Sequence, residues 1–272
     1  MKLKAAITLL LLTAFVGYAQ DQKGIKDHER KGDLYFYWGW NRGWYTNSDI
    51  NFSGDNYNFT IEEVEAKDRQ SKFGLTPYFN PAKATIPQYN FRVGYFITNN
   101  YNISFGIDHM KYVMVQDQTV KISGYINNTE TEFDGVYNNN NIILTKDFLQ
   151  FEHTDGLNYA NIEFRRFDEV YDLNKVKINI TEGLGVGILL PRTNTTLLNN
   201  DRYDEFHLAG YGIDGIVAAN ITFYDYFFIE SEFKVGFINM PDIRTTSSES
   251  DSANQHFFFY QLNIVFGATV HI

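Results

Sequence analysis

The sequence predicts an all-β fold, an up-and-down barrel of eight antiparallel strands that crosses a membrane. Three observations lead to this prediction. Apolar and polar residues alternate with a period of two in several segments, and short connections alternate with long ones between those segments. Aromatic residues make up 17% of the chain, with 24 Phe and 19 Tyr. These features are typical of a transmembrane barrel, whose outer face meets lipid while its inner face is polar.

The segment 258–272 at the C-terminus shows the alternation most clearly. Successive side chains of a strand point to opposite faces, so odd and even positions separate. The even positions are apolar, and the odd positions are mostly polar or small. The apolar face carries Phe258, Tyr260, Leu262, Ile264, Phe266, Ala268, Val270 and Ile272.

Seven further segments fit a period of two better than a helical period and are predicted as the other strands. In chain order the eight strands span 33–44, 88–98, 101–116, 157–168, 175–190, 206–223, 226–239 and 258–272. The long connections are 45–87, 117–156, 191–205 and 240–255. Tight periplasmic turns and long outer loops are the usual wiring of such barrels. The connection 117–156 contains a possible hairpin, 119–123 with 141–144, so ten strands are an alternative.

The N-terminus predicts export from the cytoplasm. Residues 1–19 have a basic start, an apolar stretch and small residues before a cleavage point, which is the pattern of a cleavable signal peptide. Residues 20–32 are predicted as a periplasmic segment and 33–272 as the barrel. Cysteine is absent, which excludes a lipoprotein anchor, disulfides and thiolate metal sites. An exported chain with barrel strands is expected in the outer membrane of a Gram-negative cell.

The inward positions of the predicted strands carry charges. An eight-stranded barrel is only wide enough for its own side chains, and buried charges are tolerated when they are paired. We therefore expect a charge-matched plug of five acids and five bases, with an ion or proton path as the alternative. The central members of this network are Arg92, Asp108, Glu163, Arg165, Lys177, Asp214, Glu230, Glu232 and Lys234, and Lys175 is expected inside as the fifth base.

Histidines near the long connections are the candidates for chemistry. His109, His153, His207 and His256 fall near the upper ends of four predicted strands, and several carboxylates lie close to them in sequence. A histidine between carboxylates can serve as a base, and several such groups can hold a divalent metal. A hydrogen-bonded polar lid is the alternative without chemistry. The candidate catalytic residues are His153, Asp155, Glu163 and His109.

The layout of the mature chain resembles small outer-membrane barrels of the OmpA/OmpX type, and its richness in Asn, Tyr and Phe resembles barrels of the Bacteroidetes. The stretch 153–158, His-Thr-Asp-Gly-Leu-Asn, is similar to the His-x-Ser-Asn segment of PagL-type lipid A deacylases. The resemblance implies His153 as base and Glu163 as its acidic partner at the outer rim. Asp155 stands where that family has its serine nucleophile.

The sequence favours a non-enzymatic protein with a plugged lumen and a structural or surface-binding role through its outer loops. The alternatives are a lipid-modifying enzyme of the outer leaflet and a narrow gated channel. The expected partners are outer-membrane lipid and lipopolysaccharide, with divalent cations at the acidic loops. The net charge of −10 argues against nucleic acid, which binds basic proteins, and no cofactor is expected.

Overall fold

The structure is a computed structural model that describes residues 29–72, 74–80 and 87–272. The predicted signal peptide and most of the segment 20–32 lie outside these residues. The described part contains fifteen strands and one short helix. The elements are β1 (Leu34–Tyr45), β2 (Ser48–Gly54), β3 (Tyr57–Val64), β4 (Ala66–Lys67), α1 (Leu75–Phe79), β5 (Tyr89–Phe96), β6 (Tyr101–Met114), β7 (Thr119–Ile126), β8 (Gly135–Ile143), β9 (Leu149–Asp172), β10 (Val176–Leu189), β11 (Arg192–Leu197), β12 (Tyr203–Phe206), β13 (Gly210–Phe223), β14 (Phe227–Arg244) and β15 (Ser252–Val270).

Eight of the strands close into a ring. Their order is β1, β5, β6, β9, β10, β13, β14 and β15, with every neighbouring pair antiparallel. The pairing of β1 with β15 closes the ring, from Leu34 opposite Val270 to Tyr45 opposite Phe259. The predicted eight-stranded up-and-down barrel is confirmed. The hairpin of β7 and β8 forms as well, but it lies above the ring, so the ten-strand alternative does not hold.

The outer surface of the ring is apolar. Outward-facing side chains on every ring strand are large, hydrophobic and exposed to the surroundings. We call this surface the apolar band. Its lower row includes Leu34, Tyr101 and Phe227, and its upper row includes Trp44, Tyr211 and Phe258. In the described part of the chain, no helix has the length and hydrophobicity needed to cross a bilayer.

Strands above the ring form a second layer of structure, which we call the cap. β2 continues β1 along the upper part of β15, and β3, β7 and β8 follow in the same sheet. β11 and β12 extend the sheet from the upper part of β9. These two extensions of the sheet enclose one hydrophobic core, which includes Phe52, Phe59, Ile122, Phe148, Phe151, Met240 and Phe257.

The fourth ring strand, β9, begins at Leu149 instead of the predicted 157. A bulge explains the difference, because the pairing with β6 jumps from Met110 opposite Leu157 to Tyr112 opposite His153. The bulge turns Asp155 outward and so interrupts the alternation locally, although odd-numbered residues are buried on both sides of it. Gly156 lies in the bulge with a φ of 133°, a backbone conformation that favours glycine.

Candidate functional site

The middle of the barrel contains a network of buried charges centred on Arg165. Its Nε lies 2.5 Å from Glu163 Oε2, and its Nη1 lies 2.7 Å from Glu232 Oε1 and 3.3 Å from Glu230 Oε1. Its Nη2 donates to the hydroxyl of Tyr37 at 2.9 Å. One guanidinium therefore binds carboxylates from two strands and a phenol from a third, which ties opposite walls of the ring together.

Two further cations complete the network. Arg92 donates to Glu163 Oε1 at 2.5 Å and to the side chains of Tyr37, Ser104 and Asn161. Lys234 binds Glu163 at 2.8 Å and also contacts Asp108. Arg92, Lys234 and Glu163 are fully buried, so each charge is stabilised by these partners alone.

The network is less balanced than the sequence predicted. Arg92, Arg165 and Lys234 face five carboxyl groups, those of Asp108, Glu163, Asp214, Glu230 and Glu232. Lys177 lies at the lower end instead, 2.8 Å from Asp225 and 3.7 Å from Glu169. Lys175, expected inside, is exposed in the turn before β10. The middle of the lumen therefore holds an excess of acid, with neutral Tyr and Asn side chains sharing the hydrogen bonds.

The lower end of the lumen is occupied by an aromatic layer. Tyr35 and Tyr37 pack against Phe228, with ring centroids 6.4 and 6.5 Å apart, and Phe96 lies 5.7 Å from Tyr35. Below it, Arg30 is buried with its Nη2 2.8 Å from Glu169 Oε2. Arg30, which lies in the predicted periplasmic segment 20–32, therefore packs against the lower end of the ring. A cavity of about 40 Å³ remains between these groups, enough for a few waters.

The upper end of the lumen is closed by the core of the cap. Tyr159 and Phe259 lie directly above the charged network, since the hydroxyl of Tyr159 donates to Asp214 Oδ2 at 2.7 Å. Above them the apolar core continues through Leu157, Leu189 and Ile238. The charged layer is thus closed above by hydrophobic packing. Below it the aromatic layer leaves the small cavity, which Arg165 and Glu230 also line.

His153, the candidate base, is buried inside the cap. Residues 149–157 of β9 lie above the apolar band, and His153 points into the core there. Its Nδ1 lies 2.9 Å from Thr193 Oγ1, and its ring packs against Tyr112 and Phe151. Burial lowers the pKa of His153 to about 3, with a small opposing effect from Gln255. The imidazole is therefore neutral at physiological pH and has no contact with solvent.

The other two members of the deacylase-like set lie elsewhere. Asp155 is displaced by the bulge to the outer surface, 3.8 Å from Arg192 and 3.7 Å from Arg202. Glu163 is in the middle of the lumen, ten positions along β9 from His153, which is about 33 Å in an extended strand. The structure does not bring these three side chains together, so no base, nucleophile and acid form a reactive group there.

The remaining histidines do not converge either. His109 stacks on Tyr89 on the outer face of the ring and contacts Asn158 at 2.8 Å. His207 pairs with Asp242 at 2.8 Å, and His256 packs on Phe237. Across residues 29–72, 74–80 and 87–272, no three side chains of His, Asp or Glu are grouped to hold a metal ion.

The sequence analysis missed the polar centre of the cap. Gln255 donates to Ser48 at 2.8 Å and to the hydroxyl of Tyr112 at 2.6 Å, and all three residues are buried. Burial raises the pKa of Tyr112 to about 12, so the phenol stays protonated. Ser48 and Gln255 come from two different connections and Tyr112 from the upper end of β6, so no local pattern links the three residues.

Comparisons with known proteins find similarity at the level of structure alone. No protein-family model matches the sequence, and no curated protein matches it significantly. OprG from Pseudomonas aeruginosa is 10% identical with a TM-score of 0.46, covering 90% of this chain and 99% of OprG. AlkL is 9% identical with a TM-score of 0.37, covering 90% and 93% of the two chains. Ail from Yersinia pestis is 7% identical with a TM-score of 0.27, covering 86% and 99%. All three are outer-membrane or attachment proteins by name, and similarities this distant carry no argument about function.

Proposed function

We propose that this chain is an integral outer-membrane barrel that does not conduct and that holds a rigid cap at the cell surface as a binding platform. The observation that carries the proposal is the filling of the lumen: buried ion pairs occupy its middle, and packed rings and the cap core lie on either side. Because the lumen is filled and the cap has an ordered core, the surface that remains accessible to soluble partners is that of the cap.

The apolar band supports the membrane location. A folded protein in water rarely exposes a continuous hydrophobic surface around its whole circumference. Here the hydrogen-bonded ring has no open edge within the band, which is what hydrocarbon requires of a spanning sheet. The signal-peptide pattern of residues 1–19 is consistent with export to that membrane.

Outer-leaflet lipid is proposed as a partner of the band at its upper rim. Trp40, Arg42 and Trp44 share the outward row of β1, and the guanidinium of Arg42 lies 5.5 Å from the Trp44 ring. Helix α1 packs against Trp40 through Tyr78 and Phe79, with ring centroids 5.5 and 5.4 Å away. Tryptophan beside a cation suits an interface where acyl chains meet phosphate groups, as in lipopolysaccharide.

The charge of the cap indicates the kind of soluble partner it would bind. Residues 117–155 contain seven Asp or Glu against Lys121 and Lys146. Glu130 and Glu132 are exposed in the turn between β7 and β8. A negative surface attracts divalent cations and basic polypeptides and repels nucleic acid and sulfated glycans.

Fluorescence anisotropy of labelled octalysine with the detergent-solubilised barrel tests this proposal. We expect salt-sensitive binding that weakens at least threefold in Glu130→Gln/Glu132→Gln and is unchanged in the lower-end control Glu29→Gln/Asp172→Asn. Labelled dextran sulfate should not bind. Equal affinity of the two double variants would contradict a binding surface on the cap.

A further inference from the structure

A carboxylate interrupts the apolar band on β10. Glu182 is in the middle of the outward row of β10, between Ile180 and Leu184, and its side chain is 51% exposed. The rest of that row, Ile178, Ile180, Leu184, Val186 and Ile188, is aliphatic and exposed. A carboxylate that faces hydrocarbon is costly, so such a residue calls for a partner.

The nearest cation satisfies Glu182 only loosely. Arg166 is directly opposite Glu182 in the pairing of β9 with β10, and their closest N and O atoms are 3.9 Å apart. Arg166 makes its shorter contact, 2.8 Å, with Asp168. At 3.9 Å the pair has no good hydrogen bond, so the carboxylate of Glu182 retains capacity for a second cation.

The surface around this pair differs from the rest of the band. The outward row of β10 contains no aromatic residue, whereas the outward row of β1 contains Phe36, Trp38, Trp40 and Trp44. Leu184 has 74% of its surface exposed, more than any other large apolar residue of the ring strands. On β9 the exposed ring of Phe164 lies directly opposite Leu184, so these two side chains form the apolar part of the seam.

We infer that two copies of this chain pair side by side in one membrane through the seam of β9 and β10. The inference rests on the proposed membrane location. Copies in the same membrane are related by a two-fold axis along its normal, which keeps every residue at its own depth. When that axis passes between the two seams, Arg166 of each copy lies against Glu182 of the other copy. The cations and anions of these two pairs then alternate in one cluster.

The charges of this face favour a second copy of the chain as its partner. The face offers Arg166 and Glu182 side by side at adjacent positions of paired strands, with Asp168 next to Arg166 on β9. A two-fold axis exchanges them, so the face is complementary to itself. Leu184 of each copy then packs against the barrel wall of the other copy instead of lipid. This packing offsets the cost of exposing the charge of Glu182 to hydrocarbon.

Cysteine cross-linking tests the contact directly, since the natural chain has no cysteine. Leu184→Cys in proteoliposomes should form a disulfide-linked dimer on mild oxidation, at least fivefold more than Ile264→Cys. Ile264 is a matched control, because it is 48% exposed in the middle of the outward row of β15, away from the seam. Equal cross-linking of the two variants would overturn the inference.

A charge exchange separates contacts between copies from contacts within one copy. Glu182→Arg alone and Arg166→Glu alone should each lose the dimer, because like charges then meet at the axis. Mixing the two variants under different affinity tags should restore pairing as a heterodimer, recovered by sequential purification. Failure of the mixture to pair, with both variants inserted, would contradict the inference. Liposome insertion and a heat-dependent gel shift report the barrel itself, so failure of the membrane proposal is seen separately.

Discussion

At the residue scale, Arg165 shows why the lumen can hold charge at all. Three carboxylates and the hydroxyl of Tyr37 lie within 3.3 Å of its nitrogens. Removing one partner of a buried ion pair is far more destabilising than replacing the whole group, since the remaining charge stays buried and unpaired. The network is therefore strongly coupled, and its members are not interchangeable.

Arg165→Met tests this coupling. We expect the free energy of unfolding to fall by about 3–5 kcal/mol, because Glu163 and Glu232 lose their shared cation. Lys121→Met, at an exposed position of β7, should change it by less than about 1 kcal/mol. Urea unfolding followed by the heat-dependent gel shift measures both variants. A loss in Arg165→Met no larger than in Lys121→Met would show that the network does not stabilise the barrel.

His153 predicts how the stability of the cap depends on pH. Burial depresses its pKa in the folded protein to about 3, while the unfolded chain binds a proton near the usual 6.5. Below pH 6.5 the unfolded state binds more protons than the folded state, so this group lowers stability as pH falls from 6.5 toward 3. The loss is roughly 1.4 kcal/mol per pH unit, and stability is fully retained above 6.5.

His153→Gln isolates this contribution, because glutamine keeps a hydrogen-bonding side chain and does not titrate. The difference in unfolding free energy between natural protein and variant should shrink as pH falls from 7 to 4. Urea titrations of tryptophan fluorescence at each pH measure the difference. A constant difference across this range would mean that His153 is protonated or solvated in the folded cap.

At the element scale, the bulge in β9 decides where the barrel ends and the cap begins. It displaces Asp155 to the surface and keeps His153 in the core, two positions away on the same strand. Gly156 makes this possible, since its φ of 133° disfavours residues with a side chain. A short irregularity thus sets the environment of Asp155.

Gly156→Ala tests the role of the bulge. The strained backbone and a Cβ 2.5 Å from Asn158 Nδ2 should cost about 1–3 kcal/mol of unfolding free energy. Gly135→Ala is the matched control, since its Cβ would have no neighbour closer than 4.0 Å. Urea midpoints compare the two variants. Equal stability would imply that the strand can shift without the glycine.

At the scale of the whole molecule, the filled lumen predicts that the protein does not conduct ions. Buried ion pairs, the aromatic layer and the cap core fill the lumen. The cavity at its lower end has a volume of only about 40 Å³. We expect no conductance steps in a planar bilayer at neutral pH, while a general porin incorporated in parallel shows them. Steps that increase in number with added protein would favour the channel alternative.

Two parts of the outer surface are proposed to bind different partners. The cap faces soluble partners through acidic turns, and the β9–β10 seam faces a second copy within the membrane. The aromatic rows of β1 and β15 remain toward lipid in such a pair. Pairing of two barrels would also place two caps side by side, which doubles the binding surface for an extended basic partner.

The ring and its contents were predictable in large part. Alternation identifies strands because a strand separates its two faces at every second residue, and that rule holds wherever one face meets lipid. The inward charges on β6, β9, β13 and β14 were found in the same way. The partners of each charge were not predictable, since Arg165 and Glu232 meet across the lumen from distant parts of the chain.

The candidate reactive residues show the limit of a local pattern. His153, Asp155 and Glu163 share one strand, and their spacing resembled a known active site. The bulge sends the first two to different environments, and the extended backbone carries Glu163 far below them. Residues ten positions apart on one extended strand are therefore too far apart in space to act together.

The sequence by itself determined which segments form the ring, their apolar outer faces and most of the inward charged residues, because each follows from a residue's position relative to its immediate neighbours. The tertiary structure decided which charges pair, where β9 bends, how the long connections build a core, and that Arg166 lies opposite Glu182. Those features depend on contacts between different segments of the chain, which a residue's immediate neighbours do not specify.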